Sequence, residues 1–387
     1  MRQKYTVDDY RRVLGKDLEE SGQIEEKIKG AYAMIRMNQE SRSAARRKKG
    51  MKGLIRGMSA VAAALILSVT AFVASPALAA KFSFIGNIFG SVEKDVSYQG
   101  DYSKDATQLV NPEEVGEDGT IDSPYVQTDQ GITFTISECN YESMAMYLAV
   151  SVESEAGFSE DFRTYPFTGE SGEGERMDYR TLYITSTAAA DFAEAGSYKW
   201  DPAEGTESPY YIEGKFVDEH TFVGIIRVDL MHMEIPNDQI PEEFPYHLCV
   251  TDLFTDPDPK KEHLEGTWEF DLDVKLNSAG TVIKEINETN EKGIGIGKVI
   301  KTSYELNAEL VLPESENAMD YIVAVCDAEG KLLESQGYYS EIYSLYGRDV
   351  SKVFIYVVDY VTFMDECKGN NAYLLPEKAV FQTEVTF

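Results

Sequence analysis

The motif that most suggests chemistry is a glycine-rich run at residues 293–298, which reads GIGIGK. A phosphate-binding loop has four residues between its first glycine and its Gly-Lys pair, and a Ser or Thr follows the lysine. Here only three residues separate Gly293 from Gly297, and Val299 follows Lys298. After the lysine, polar and apolar residues alternate in a pattern that predicts a strand rather than a helix. We therefore interpret the run as the edge of a strand where two backbones approach closely.

Histidines and clustered carboxylates are the next candidates. Asp252, Asp256 and Asp258 lie in a proline-containing loop and are candidates for a weak calcium site. The spacing and the glycine of an EF-hand are absent, so a solvated acidic loop is the favoured interpretation. No zinc-protease spacing occurs among the four histidines, which are His220, His232, His247 and His263. We predict no catalytic, cofactor-binding or metal-binding residue, and no enzymatic activity.

The cysteines and a group of tyrosines each leave two interpretations open. The cysteines lie about 40 to 110 residues apart, so either one disulfide forms in an exported domain or the thiols are free and buried. The tyrosines either bind a ligand by stacking or simply pack, and packing is favoured. The cysteines are Cys139, Cys249, Cys326 and Cys367, and the tyrosines are Tyr338, Tyr339, Tyr343 and Tyr346, followed by Tyr356 and Tyr360.

An uncharged stretch decides which solvent each of these groups faces. Residues 57–80 contain no charged residue over 24 positions. A helix of that length spans about 36 Å, which exceeds the roughly 30 Å hydrocarbon core of a bilayer. We therefore predict a transmembrane helix within residues 51–80, surrounded by membrane lipid.

The flanks of this stretch predict its orientation. Seven basic residues and no acidic residue occur from Arg42 to Arg56. Such a flank stays in the cytoplasm, so the region after residue 80 is exported. One alternative is an export signal that is cut after Ala79, because Ala77-Leu78-Ala79 has the small-x-small pattern of a cleavage site. The long region before the stretch favours a retained anchor, and the basic flank disfavours a buried helix of a soluble core.

Charge divides the chain at the same place. Residues 1–56 hold 15 Lys/Arg and 8 Asp/Glu, a net charge of +7, and the remainder holds 21 and 59, a net charge of -38. The acidic part is not expected to bind nucleic acid. The basic part is expected to contact lipid head groups beside the membrane.

Two short amphipathic helices are predicted before the basic flank, and residues 1–50 together form the predicted cytoplasmic region. The second helix places four apolar residues on one face, namely Ile24, Ile28, Tyr32 and Ile35. Helices this short bury little core by themselves. We therefore predict that this face binds a cytoplasmic partner, with a solvated tail as the alternative.

Residues 81–123 are predicted to be a membrane-proximal segment and linker. Phe82, Ile85 and Phe89 recur at helical spacing. We expect this face either to lie on the membrane surface or to close the bottom of the first exported domain. From about residue 91 the chain is polar and acidic with turn signals, and we interpret it as a loosely packed connection.

Strand patterns dominate the rest of the chain. Residues 132–137 and 146–153 alternate and predict a hairpin with one buried face, and residues 268–276 form the clearest single strand. Many short strands without intervening helical patterns indicate antiparallel β-sandwiches. The predicted fold class is mainly β, with short N-terminal cytoplasmic helices, one transmembrane helix and two exported sandwich domains. The first covers residues 124–276 and the second, immunoglobulin-like, covers residues 277–387.

The order of these parts resembles a known family. The carrying stretches are KGAYAMIR at residues 29–36, SPALA at 75–79, FIGNIF at 84–89 and GITFTI at 131–136. They resemble the Gram-positive single-pass membrane proteins of the domain of unknown function (DUF) 4179, often with an immunoglobulin-like domain behind it. Some members look like anti-sigma factors. The resemblance therefore implies a sigma factor as the partner of residues 1–50, and it implies no catalytic residue.

These observations together predict a non-enzymatic regulator or sensor that crosses the cell membrane once. Its N-terminus is expected in the cytoplasm, and its C-terminal region is expected outside, where it binds an unidentified protein or polymer. No cofactor is predicted. The alternative is a membrane-anchored or secreted protein with a binding or adhesive role at the cell surface.

Overall fold

The structure is a computed structural model that describes most of the chain from residue 86 onward. The described ranges are 86–111, 121–164, 180–231, 239–256, 260–277, 280–335 and 341–387, with the single residues 233, 235 and 258. All of them belong to one compact unit, Leu67–Phe387. Within these ranges the fold is mainly β, and all paired strands are antiparallel. This part of the predicted fold class is confirmed.

Ten strands of the described chain form one sheet, which we call the large sheet. They are β1 (Thr107–Gln108), β2 (Val126–Asp129), β3 (Ile132–Glu142), β4 (Ala145–Ser154), β5 (Arg180–Asp191), β6 (Ser197–Trp200), β7 (Tyr211–Phe216), β8 (Thr221–Asp229), β9 (Glu243–Phe254) and β10 (His263–Lys275). The order is β1-β3-β4-β8-β7-β5-β9-β10, with β2 on β3 and β6 on β5.

The large sheet curls around one apolar core, so that β10 returns to β3. The indole Nε1 of Trp268 on β10 donates to the carbonyl of Ile132 on β3 at 3.1 Å. Farther along, the amide of Asn277 donates to the carbonyl of Tyr141 at 2.9 Å. Register shifts interrupt the β3–β4, β5–β9 and β9–β10 pairings, and such bulges bend strands. The predicted first sandwich is thus one continuous sheet rather than two separate sheets.

The hairpin predicted near residue 132 is confirmed as β3 and β4, which pair from Ile132 with Ser154 to Glu142 with Ala145. The expectation of one buried face is wrong. Nearly every residue of both strands is buried. One face lies on the core of the large sheet, and the other is covered by residues 86–110.

Residues 280–387, here called the C-terminal region, contain two further sheets around a shared core. The strands are β11 (Val282–Thr289), β12 (Gly295–Lys301), β13 (Glu305–Val311), β14 (Tyr321–Cys326), β15 (Ile342–Ser344), β16 (Lys352–Asp359) and β17 (Phe381–Thr386). One sheet has the order β11-β12-β13-β15 and the other the order β14-β16-β17.

The strand order of the C-terminal region corrects the immunoglobulin-like expectation for residues 277–387. An immunoglobulin constant domain places its third strand beside the sixth, in the three-stranded sheet. Here the third strand, β13, stays beside β12 in the four-stranded sheet. Only three residues connect the two strands, and the amide of Thr302 donates to the carbonyl of Glu305 at 2.8 Å. So short a hairpin keeps both strands in one sheet.

Helices are short in the described ranges. They are α1 (Ile88–Val92), α2 (Glu160–Thr164), α3 (Tyr360–Thr362) and α4 (Leu375–Lys378), with a π-helical turn at Phe363–Cys367 and 3-10 turns at Tyr102–Lys104, Ala193–Ala195, Pro202–Glu204, Ala318–Asp320 and Gly369–Leu374. The helical residues from α3 to α4 cover the outer face of the three-stranded sheet.

The predicted transmembrane helix and the predicted N-terminal helices lie outside the described residues. Within the part of the chain that the structure describes, none of the helices has both the length and the apolar character needed to span a bilayer.

Candidate functional site

The four residues predicted to bind a partner, Ile24, Ile28, Tyr32 and Ile35, lie outside the described residues. The same is true of His232, Tyr338 and Tyr339. The other predicted candidates can be placed, and they do not converge on one site.

The described histidines each have a local partner. Nδ1 of His263 lies 2.7 Å from Oδ2 of Asp252, and Nδ1 of His247 lies 2.9 Å from Oδ1 of Asp271. Asp256 accepts a hydrogen bond from the amide of Asp258 at 2.9 Å. The aspartates of this loop therefore serve local contacts, and no group of three or more potential metal ligands occurs in the described ranges.

The glycine-rich run begins in a hairpin turn and continues as the first residues of β12, so the predicted strand edge is observed from Gly295 onward. Gly293 has φ +81° in the turn between β11 and β12, a conformation that favours glycine. A Cβ on Gly295 would lie 1.9 Å from the carbonyl oxygen of Glu288 on the neighbouring strand. The close backbone approach is confirmed, and the glycines serve the turn and the pairing.

The tyrosines after residue 338 do not form one surface. Tyr343 is buried in the core of the C-terminal region, and its hydroxyl donates to the carbonyl of Val323. Tyr346 is 41% exposed, and the ammonium of Lys94 lies 4.2 Å from its ring centroid. The packing interpretation holds for Tyr343.

All four cysteines are free thiols in the structure. Cys139, Cys326 and Cys367 are buried, whereas Cys249 is partly exposed. Burial raises the pKa of the Cys139 thiol to about 12 and that of Cys326 to about 11. Such thiols are poor nucleophiles at neutral pH.

A different site stands out, where residues 86–110 pack against the large sheet. We call these residues the clasp segment. Its apolar side chains Ile88, Phe89, Val92 and Val96 are at most 1% exposed. They pack on the outer face of β4 and β8, on a surface formed by Tyr147, Ala149, Val223 and Ile225. The loosely packed connection predicted from about residue 91 is therefore wrong for residues 91–110, and Phe89 packs on the outer face of the large sheet.

A group of tyrosines joins the clasp segment to both β regions. The ring centroid of Tyr102 lies 4.2 Å from that of Tyr147 on β4 and 4.5 Å from that of Tyr304 in the C-terminal region. The hydroxyl of Tyr98 donates to the carbonyl of Ile225 on β8 at 2.7 Å. Tyr102 thus fills the space where the clasp segment, the large sheet and the C-terminal region meet.

Three buried glutamates accept hydrogen bonds from backbone amides where these regions meet. The Glu138 carboxylate on β3 accepts from the amide of Phe89 at 3.0 Å. Glu213 on β7 accepts from the amide of Ser97 at 2.6 Å and from its hydroxyl at 2.8 Å. Glu142 at the end of β3 accepts from the amide of Ser303 in the C-terminal region at 3.0 Å. These carboxylates take the place of water for amides that the packing would otherwise leave unpaired.

The pKa values of these carboxyl groups are raised because the groups are buried. Burial raises the pKa of Glu138 and Glu142, and it raises the pKa of Glu213 to about 7. Hydrogen bonds from backbone and side-chain donors oppose the rise in each case. Burial also raises the pKa of Tyr98 and Tyr102 well above the ordinary range, so both phenols are neutral at physiological pH.

One buried ion pair completes the site. Nε and Nη2 of Arg227 on β8 each lie 2.8 Å from a carboxylate oxygen of Glu305 on β13. Their side chains are 10% and 1% exposed. Burial lowers the pKa of Arg227, but the Glu305 carboxylate more than offsets this, so the guanidinium stays charged. The pair fixes the C-terminal region to the large sheet by two parallel hydrogen bonds.

The arrangement suits mechanical connection. Its aromatic rings and carboxylates are turned inward, so they order one segment between two β regions. One sequence signal could have revealed the covered face. From Ala145 to Val150 the residues are apolar or aromatic at consecutive positions, which is typical of a strand buried on both faces.

Comparison with known proteins places part of this site in a family. Residues 49–154 match the family model described as Domain of unknown function (DUF4179). The chain carries a DUF4179 domain. The matched range covers the predicted span, the clasp segment and the strands up to the end of β4. The DUF4179 domain therefore contains the clasp segment and part of its binding surface, whereas β7, β8 and Tyr304 lie beyond the matched range.

A solved structure is also similar to this chain. It is described as the crystal structure of the conserved domain protein from Bacillus anthracis. The sequences are 13% identical, the match covers 74% of this chain and 93% of that chain, and the TM-score is 0.37. No curated protein matches the chain.

Proposed function

We propose that this protein is a non-enzymatic, single-pass membrane regulator. Residues 57–80 cross the membrane, residues 1–50 bind a sigma factor in the cytoplasm, and the β regions bind a protein or polymer outside the cell. The charge division of the sequence, +7 before the span and -38 after the basic flank, supports this orientation.

The observation that carries the proposal is the anchoring of the clasp segment. This segment begins a few residues after the proposed span, and it is built into the fold by Phe89, Tyr98 and Tyr102. In this proposal, the packed clasp segment links the β regions to the proposed span. Packed side chains transmit a displacement from one element to the next. A ligand that shifts the β regions against each other would therefore move the segment that leads into the membrane.

The topology is tested with antibodies against the two ends of the chain. One full-length band in the membrane fraction, recognised by both antibodies, is expected. Two separate bands, with the C-terminal band in the medium, would show cleavage after Ala79 and would overturn the anchored topology.

The partner is tested by co-purification from detergent extracts. A sigma factor is expected to follow the wild-type chain, and Ile28→Asp should abolish this by placing a charge on the apolar face. Ala33→Asp adds the same charge on the opposite side of the predicted helix, and it should retain the partner. Absence of any sigma factor with the wild-type chain sinks the regulator proposal.

Deletion of residues 1–40 separates the regulator from a surface adhesin. A regulator should change transcription when these residues are removed. An adhesin should keep its surface binding and leave transcription unchanged, since in that case the N-terminal region acts only as an anchor.

A further inference from the structure

Glu213 is a buried carboxyl group that joins the large sheet directly to the clasp segment. It lies on β7 and is 6% exposed. Its two oxygens accept from the amide and the hydroxyl of Ser97, a residue 116 positions earlier in the chain. This contact secures the middle of the clasp segment, between α1 and Tyr102.

The cations near Glu213 are engaged with other groups. Lys215, on the same strand, donates to the carbonyl of Ser91 and to Asp95, both at 2.7 Å. Arg227, on β8, is paired with Glu305. No ion pair in the described ranges includes Glu213. A carboxylate buried without a cation is costly, so the closed clasp favours the protonated acid.

Tyrosine phenols also lie near this position. Tyr98 of the clasp segment and Tyr210, which precedes β7, are both near enough to interact with Glu213, and Tyr211 of β7 is near Tyr98. The raised pKa values of Tyr98 and Tyr210 keep both phenols neutral. A neutral neighbour does not compensate a negative charge. When the clasp segment leaves the sheet, the carboxyl group meets water and its pKa returns to the ordinary value of 4.5 from the buried value of about 7.

We propose that the Glu213–Ser97 contact is a proton-dependent latch, which holds the clasp segment firmly in mild acid and loosens it as the pH rises through neutrality. The protonated acid still accepts from the Ser97 amide through its carbonyl oxygen, so the contact survives protonation. The latch belongs to the β regions and does not depend on whether residues 1–50 bind a sigma factor.

The direction follows from proton linkage. The closed state binds the proton more tightly than the open state, so this contribution is complete below the open-state pKa of 4.5. It is lost as the pH rises through the closed-state value of about 7. Between pH 6 and pH 8.5 these two values predict about a tenfold fall in the equilibrium constant for closing.

Hydrogen exchange measured by mass spectrometry on the full chain in detergent tests the latch. The protection of a peptide over residues 93–104, corrected for the intrinsic effect of pH on exchange, should fall about tenfold between pH 6 and pH 8.5. Glu213→Gln keeps an oxygen acceptor and cannot ionise, so its protection should change less than about threefold. Part of the pH dependence that remains in Glu213→Gln comes from Glu138, which accepts a hydrogen bond from the amide of Phe89 and also has a raised pKa.

One variant and one wild-type measurement keep the test decisive. Glu269→Gln, at an exposed position of β10, should show the same tenfold fall as wild type. In the wild-type chain itself, a corrected protection that stays constant between pH 6 and pH 8.5 would overturn the latch without any variant. Equal pH dependence in the wild type and Glu213→Gln would overturn it as well.

Discussion

Two strands of the large sheet meet their surroundings in opposite ways. On β10, buried Trp268 and Phe270 alternate with exposed Glu269 and Asp271. On β4, every residue from Ala145 to Val152 is buried. The two strands share a sheet and a core, but only β4 has the clasp segment on its outer face. The outer face of a strand in this sheet is therefore buried where the clasp segment covers it and exposed to solvent where it does not.

Removal of the central aromatic ring on the covered face should have the largest effect. Tyr102→Ala deletes a fully buried side chain between Tyr147 and Tyr304 and leaves a cavity. We expect a loss of about 3 to 5 kcal/mol in the free energy of unfolding, measured by urea denaturation of the full chain in detergent. Tyr373→Ala removes a ring that is 73% exposed, and it should change stability by less than about 0.5 kcal/mol. Similar losses in both variants would refute the covered face.

Loss of the buried ion pair should rank second. Arg227→Met leaves the Glu305 carboxylate buried without the guanidinium charge that balances it, and we expect a loss of about 3 kcal/mol in the free energy of unfolding. The matched pair on the open face is Lys275 with Glu243, whose nitrogen and oxygen lie 3.0 Å apart. Because both of those side chains are well exposed, Lys275→Met should cost about 0 to 1 kcal/mol.

A second substitution distinguishes the ion pair from general damage to the site. Arg227→Met combined with Glu305→Leu removes both charges, so most of the lost stability should return. Failure of the double variant to recover would show that the arginine acts through packing rather than through its charge.

Overfilling the covered face should have a smaller effect. Ala149 lies on β4 beneath the clasp segment and is fully buried. Ala149→Leu adds volume where the packing is complete, and we expect a loss of about 1 to 3 kcal/mol by the same denaturation assay. Glu269→Leu places the same side chain on the open face of β10, where a change within about 0.5 kcal/mol is expected. An Ala149→Leu variant as stable as wild type would mean that the face is open.

The sequence predicts the parts of the fold that follow local periodicity. The alternation around Trp268 identifies β10, and the alternation after Ile132 identifies the β3–β4 hairpin. The glycines at residues 293–297 predict a close backbone approach, which Gly295 makes to the carbonyl oxygen of Glu288. Each of these features depends on neighbours within a few residues.

The packing of the clasp segment cannot be predicted from local periodicity, because its buried residues do not recur at a regular spacing. Val92, Val96, Tyr98 and Tyr102 are spread among acidic and polar neighbours that bond to distant groups. Glu213 meets Ser97 across 116 positions. No local pattern marks such partners. The consecutive apolar residues of β4 indicate a covered face, but Tyr147, Ser151 and Glu153 alternate with apolar residues in the pattern of a strand with one open face.

The clasp segment joins the large sheet and the C-terminal region into one cooperative unit, and two probes of urea unfolding test this connection most directly. The only two tryptophans of the chain, Trp200 and Trp268, are both buried in the large sheet, so their fluorescence reports that region alone. Hydrogen exchange of a peptide over β16 reports the C-terminal region. If the regions unfold together, both probes should share one midpoint. Two well-separated midpoints in the wild-type chain would contradict it.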